Sequence, residues 1–139
     1  MALSAVTPDA TAIQNAADAG PNIMAGDWRC GAFGAPSAPK VEELTNYADS
    51  STHTVVVIRD SLLGNAVVGL AVVRNADAKV IWLCIPEGRV VEVGGFLLTR
   101  IRNNAGMDPW GVVANPKVYD RLVTLGLEPV GERLYFRGV

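Results

Sequence analysis

Apolar and polar positions in the central part of the chain follow the short period typical of strands. The segments 54–59, 67–74 and 79–85 are almost continuously apolar and rich in β-branched residues. Turn-forming residues at Gly64-Asn65 and at 75–77 separate these segments. The pattern predicts three strands joined as an antiparallel meander.

The period becomes that of a helix after Pro86. We predict that this helix continues to Asn103 and ends at Gly106, since glycine is common just beyond a helix C-terminus. Its apolar stripe consists of Val90, Val93, Leu97 and Ile101, widened by Phe96 and Leu98. Such a stripe indicates a helix with one buried face.

The rest of the C-terminal part alternates between strand and helix patterns. It predicts a strand at 110–114, a helix at 116–125 and a last strand at 132–137. A strand–helix–strand crossover requires 79–85 and 110–114 to pair in a parallel direction. The predicted fold class is therefore α/β (α+β), a mixed and mostly antiparallel sheet with helices on both faces.

The first fifty residues carry weaker signals. Thr7 is a suitable N-cap and Gly20 a suitable stop, so we predict a helix at 8–18. The segment 21–39 has no period and is rich in Gly and Pro, which predicts an ordered loop. A short amphipathic helix is predicted at 39–48.

Composition places the chain among globular proteins. Its 139 residues are 50% hydrophobic and 19% charged. These values predict a single domain over 1–139, with a helical and loop part at 1–50 and a sheet core at 54–139. The net charge of −2 argues against nucleic acid as a partner, although residues 89–139 carry seven bases and five acids.

The chain shows no targeting pattern. No apolar stretch approaches the roughly 20 residues of a membrane span, and the N-terminus lacks the pattern of a leader peptide. We therefore expect no membrane partner, and a protein that is not secreted but lies in the cytoplasm or within a virion particle.

The residues best suited to metal or redox chemistry are few. Cys30, Cys84 and His53 do not have the spacing of zinc ligands. Two cysteines cannot make a disulfide framework, and Cys84 lies inside a predicted buried strand. We expect two reduced thiols and no metal site.

The junction at 85–95 is the main candidate for chemistry. A strand passes through a Pro/Gly turn into a helix, and a helix N-terminus presents unpaired N–H groups that suit a phosphate. Gly94 and Gly95 each cost about 1 kcal/mol relative to Ala inside a helix. Either a ligand approaches the backbone closely there, or the helix packs tightly against a bulky side chain such as Trp82.

From Trp82 onwards the chain resembles the GCN5-related N-acetyltransferases. The coenzyme A loop of that family, R/Q-x-x-G-x-G/A, matches the register of Arg89–Gly94. The family's N-x-x-A segment precedes a glycine at the separation found here between Asn115 and Gly126. The run L-G-L-E-P-V-G-E at 125–132 is similar to the family's L-G-F-x-x-x-G.

The resemblance implies acetyl-CoA as the cofactor and acyl transfer to an amine as the activity. The family's usual tyrosine acid falls on Leu122, so Tyr119, one helical turn earlier, is the candidate proton donor to the departing thiolate. Glu87 at the end of the strand is the nearest candidate for the general base. The residues that it assigns to the cofactor are Ile85, Arg89, Val90, Val91, Gly94, Gly95 and Asn115.

Two positions depart from the family's pattern. Glu92 places a carboxylate where the family has the first loop glycine, and Leu122 occupies the position of the usual tyrosine acid. We therefore interpret the chain as a catalytically degenerate acetyltransferase-like domain that acts in assembly or binding, such as an internal phage virion protein. The alternatives are an active acetyl-CoA-dependent N-acetyltransferase and an antitoxin- or inhibitor-like module.

The C-terminus bears on the choice of partner. The family closes its sheet with a two-strand hairpin, and few residues follow Pro129 here. Either the hairpin is very short or one strand is missing. A missing strand would leave 134–136 near an open edge, from which we expect protein partners or self-assembly through this C-terminal edge.

Overall fold

The computed structural model describes residues 3–6, 8–25, 40–84, 89–112, 120, 123–124, 126–130 and 133–136. In these residues seven strands form one sheet in the order β1-β2-β3-β4-β5-β7-β6. The strands are β1 (Leu3–Val6), β2 (His53–Asp60), β3 (Ala66–Arg74), β4 (Lys79–Cys84), β5 (Trp110–Val112), β6 (Leu127–Val130) and β7 (Arg133–Phe136). The helices are α1 (Ala10–Ala25), α2 (Val41–Asp49) and α3 (Gly95–Ala105).

The pairing of the strands confirms the predicted meander and crossover. Strands β1 to β4 pair with their neighbours in antiparallel directions. Strands β4 and β5 pair in parallel at Lys79 and Trp110, which is their one register pair in the described part of the sheet. Because these residues begin the two strands, the carboxyl ends of β4 and β5 are not paired with each other there.

Helices cover both faces of the sheet, as predicted. Helix α3 packs on one face, where Leu97, Leu98 and Ile101 are buried among aliphatic residues of β2, β3 and β4. Helices α1 and α2 pack on the other face, where Ile13 and Leu44 are buried. Helix α3 ends at Gly106 as predicted, since this residue adopts a left-handed conformation with φ +69°.

Gly69 in β3 determines how closely α3 approaches the sheet. A Cβ atom at this position would lie 2.8 Å from Val93 Cγ1 and 3.1 Å from Leu97 Cδ1. Both neighbours are fully buried. The absence of a side chain at Gly69 therefore allows the start of α3 to lie directly on the strand.

The N-terminal predictions are partly wrong. Helix α1 spans Ala10–Ala25 rather than 8–18, and Asp9 takes the capping role because its Oδ1 accepts the N–H of Ala12 at 2.8 Å. The helix continues through Gly20, because packing of its apolar face on the sheet outweighs weak local propensities. Residues 21–25 of the predicted loop are thus helical, and 26–39 lie outside the described residues.

The ends of the chain also differ from the prediction. Strand β1 was not predicted, because four residues are too few to show a period. Residues 127–130 and 133–136 form two paired strands, so the hairpin is short and no strand is missing. Strand β7, which contains 134–136, lies between β5 and β6, so β6 is the edge strand at this end of the described sheet and β1 at the other. Of the predicted helix at 116–125, Asp120 and 123–124 are helical, and the rest lies outside the described residues.

The expectation of two reduced thiols is wrong. Cys84 at the end of β4 is disulfide-bonded. The sequence contains one other cysteine, Cys30, which lies outside the described residues. Counting cysteines excluded a framework of several bridges but did not exclude a single one.

Candidate functional site

The candidate site is the start of α3, which we call the helix mouth and define as residues Arg89–Gly95. A π-helical turn over Val90–Gly94 runs directly into α3, and Gly94 has helical dihedral angles of −64° and −43°. The first N–H groups of such an element have no partner within it and carry the positive end of the helix dipole. The helix mouth follows β4 along the chain, and the carboxyl end of that strand pairs with β3 but not with β5 in the described part of the sheet.

Two carboxylates form ion pairs with the guanidinium group of Arg89. Its Nη2 lies 2.8 Å from Oδ2 of Asp60 and also donates a hydrogen bond to Oε1 of Glu92. The hydrogen bond to Glu92, together with that to Asp60, raises the pKa of Arg89 above its ordinary value despite partial burial. The sequence left open whether Arg89 pairs with a phosphate or with Glu92, and the structure pairs it with Glu92 and a second acid.

Asp60 is the functional candidate that the sequence did not reveal. Its side chain is 3% exposed, whereas that of Arg89 is 26% exposed. Its other oxygen, Oδ1, accepts the N–H of Leu62 at 2.9 Å and so caps the short turn between β2 and β3. An aspartate at the end of a strand signals such a turn. The pairing with Arg89 is a tertiary contact that no local pattern reveals.

The electrostatic balance at the helix mouth is negative. Asp60 and Glu92 contribute two carboxylates against the single guanidinium of Arg89, and the Glu92 side chain is 51% exposed. A diphosphate approaching this site would meet an exposed carboxylate and a cation that is already paired. The side chains at the helix mouth therefore do not fit a diphosphate in the arrangement observed.

The glycines of the helix mouth are not explained by packing against Trp82. A Cβ atom on Gly95 would have no atom within 4 Å. Trp82 packs with the cluster on the opposite face of the sheet, where its ring centroid lies 6.0 Å from that of Tyr47. The tight-packing interpretation is therefore wrong for Gly95, and Gly69 makes the close approach instead. The open space at Gly95 is compatible with a ligand near the backbone.

The structure brings together part of the predicted site. Arg89, Gly94 and Gly95 meet at the helix mouth, and the backbone of Val90 and Val91 forms its π turn. The other assigned positions lie outside the described residues, and they are Ile85, Glu87, Asn115 and Tyr119.

The described residues show neither a clustered set of metal ligands nor a membrane-spanning helix. Within them, no group of three or more His, Cys, Asp or Glu side chains is arranged to hold a metal ion. No helix among them is both long and apolar enough to cross a bilayer.

The fold defined by the mixed sheet, the crossover through α3 and the terminal hairpin is that of the GCN5-related N-acetyltransferases. The spermidine N-acetyltransferase of Vibrio cholerae, solved with CoA and spermine, superposes with a TM-score of 0.64 at 14% identity, over 97% of this chain and 95% of that chain. A GNAT superfamily phosphinothricin acetyltransferase of Sinorhizobium meliloti, solved with AcCoA, gives a TM-score of 0.63 at 19% identity, over 94% of this chain and 77% of that chain. These likenesses confirm the predicted fold class. No protein-family model and no curated protein sequence matches the chain.

Proposed function

We propose that this chain is an acetyltransferase-fold protein that does not bind acetyl-CoA productively and acts through protein contacts, in assembly or binding. The observation that carries the proposal is that Asp60 and Glu92 both form ion pairs with the Arg89 guanidinium. An internal component of a phage virion is one setting that suits such a role, and the cytoplasm is the other.

Coulomb energies support the proposal. Two unit charges about 4 Å apart interact by about 1 kcal/mol in water and about 4 kcal/mol at an effective dielectric constant near 20. Glu92 would repel a diphosphate by an energy in this range, and Arg89 would have to exchange two carboxylate partners for phosphate oxygens. Buried Asp60 would lose its charge partner in that exchange, which adds a desolvation cost.

Calorimetric titration of acetyl-CoA and desulfo-CoA into the purified full chain tests the proposal. We expect no saturable micromolar binding by the wild type. Removing the Glu92 charge in Glu92→Gln or Glu92→Gly should raise affinity by about 5-fold to about 1000-fold. Glu42→Gln, which removes an exposed carboxylate from α2, is the matched control and should leave affinity unchanged. Saturable micromolar binding by the wild type would overturn the proposal.

An active acetyl-CoA-dependent N-acetyltransferase is the second candidate. The open space beside Gly95 favours it, because a coenzyme could approach the backbone there. The two structural neighbours, which were solved with CoA and AcCoA, add support at the level of the fold. Release of free thiol from acetyl-CoA in the presence of amine acceptors, together with wild-type binding, would establish this candidate in place of the first.

We also propose that the C-terminal edge of the sheet is a partner surface. The sequence predicted 134–136 near this edge, whereas β6 is the strand that lies there. This strand contains Pro129, which has no N–H to donate, and the exposed Glu128. Both features oppose the addition of another strand. A partner at this edge would therefore rely on side-chain contacts, for which the half-exposed Val130 is available.

A further inference from the structure

Two adjacent leucines protrude from the turn between β2 and β3. Leu62 is 82% exposed and Leu63 is 57% exposed, and together we call them the leucine tip. The tip is held in place because Asp60 accepts the N–H of Leu62 and is itself fixed by Arg89. A fixed apolar protrusion favours burial against a complementary surface.

A cavity of about 290 Å³ lies at the other end of the same hairpin. We call it the end groove. Its wall is aliphatic at Val56, Val73 and Ile101, and its polar rim is formed by Thr54, Asn75 and Asn104. Thr54 lies near the start of β2, whereas Asp60 ends that strand, so about 20 Å separates the end groove from the leucine tip at about 3.3 Å per residue.

The rim of the end groove is preformed. Thr54 Oγ1 donates to Asn75 Oδ1 at 2.6 Å, and Asn75 Nδ2 donates to the carbonyl oxygen of Ser51 at 3.2 Å. The backbone N–H of Asn75 donates to the carbonyl oxygen of Thr52 at 2.8 Å. Because these groups are already ordered, insertion of an apolar group would cost little further conformational entropy.

The leucine tip and the end groove are complementary in size and charge. The end groove is open and has a mixed polar and aliphatic lining, and its volume of about 290 Å³ exceeds the about 150 Å³ of an apolar cavity that holds a benzene molecule, so two leucine side chains have room against its aliphatic wall. The exposed carboxylate of Glu92 is connected to the tip through Arg89 and Asp60. Arg100 is exposed on α3 one turn before Asn104 and therefore lies on the groove side of that helix.

We propose that the leucine tip of one copy of this chain inserts into the end groove of a second copy. The inference rests on the proposed assembly role and names a second copy as the partner. Because tip and groove lie at opposite ends of the hairpin, the contact is head-to-tail, and it extends into a ring or an open filament rather than a closed two-fold dimer. The Glu92 carboxylate, which shares Arg89 with the Asp60 that caps the tip, and the Arg100 guanidinium, one helical turn from the groove residue Asn104, orient the approach.

Sedimentation velocity of the full chain between about 10 and about 500 μM tests this contact. The weight-average mass of the wild type should rise above that of the monomer as concentration increases. Leu62→Ser with Leu63→Ser removes the tip and should lower the association constant about ten-fold or more for each leucine. Ala105→Leu fills the groove and should also lower the association constant. Asn104→Lys at the exposed rim is a second groove variant.

A mixing experiment distinguishes the head-to-tail geometry from other contacts. The tip variant keeps an intact groove and the groove variant keeps an intact tip, so an equimolar mixture should form one-to-one pairs that do not grow. Val123→Ser, at an exposed position outside the tip and the groove lining, is the matched control and should associate like the wild type, whereas Val130→Ser tests the edge strand β6. A wild type that is monomeric throughout, a tip variant that associates like the wild type, or loss of association in Val130→Ser alone would overturn the inference. These outcomes are independent of the acetyl-CoA titration, so failure of one proposal is distinguishable from failure of the other.

Discussion

Replacement of Gly69 by alanine tests whether α3 can pack on β3 only when this position has no side chain. The new Cβ would lie 2.8 Å from Val93 Cγ1 and 3.1 Å from Leu97 Cδ1. Contacts this short require movement, and both neighbours are fully buried with little room to move. Overpacking of this kind costs about 1–3 kcal/mol. Alanine recovers about 0.5–1 kcal/mol through its lower chain entropy, which leaves a net loss of about 0–2.5 kcal/mol.

Thermal unfolding followed by circular dichroism measures this loss. An unfolding entropy of about 2.1 cal/mol/K per residue gives about 0.3 kcal/mol/K for a chain of this length, so Gly69→Ala should lower Tm, by up to about 8 °C. Gly95→Ala is the matched control. Its Cβ meets no atom within 4 Å and it begins α3, so the substitution should raise Tm by about 2–3 °C. If both variants shifted Tm in the same direction, the close approach at Gly69 would not explain the glycine.

Three further predictions concern Asp60, Asp77 and Leu97. Asp60→Asn keeps an acceptor for the turn but loses the charge facing Arg89, and should reduce the free energy of unfolding in urea by about 1.5–3 kcal/mol; an unchanged midpoint would contradict this. The bidentate hydrogen bond from Arg74 lowers the pKa of Asp77 to about 2. Its stabilisation is therefore present above about pH 4, and it is lost as pH falls through about 2. Because Asp77 is 37% exposed, Asp77→Asn should cost under about 1 kcal/mol at neutral pH, and NMR titration of the carboxyl carbon should show the low midpoint. Leu97→Ala should cost about 2–5 kcal/mol in the same urea experiment, since the side chain is fully buried, and a loss under about 1 kcal/mol would refute its place in the core.

Long periodic segments were predictable from the sequence. The meander β2-β3-β4 and the buried stripe of α3 follow from runs of apolar residues whose period matches one element type. Helix α2 was also predicted, and the structure buries its Leu44. Strands β1 and β6 and the end of α1 were not predicted, because four residues are too few to show a period and packing of α1 outweighs the predicted stop at Gly20.

The candidate site was predictable only in part. Arg89, Glu92, Gly94 and Gly95 were identified from a loop pattern and from a family resemblance that depends on spacing. The role of Asp60 was missed because its partner Arg89 belongs to a different element, and the two meet only when α3 folds onto the sheet. Gly69 was missed for the same reason. Its close neighbours Val93 and Leu97 reach it only when α3 packs on β3, so in the sequence it is one more residue of an apolar strand.

The sequence by itself determined the element types in the core, the parallel crossover and the location of a helix N-terminus after β4, because burial on one face imposes a period that is visible in one dimension. The tertiary structure decided which charges meet at that N-terminus, which glycine permits the close approach, and which end of the hairpin carries the leucine tip or the end groove. These properties depend on distances between residues far apart in the chain, and such distances are set by how the helices and the sheet pack together.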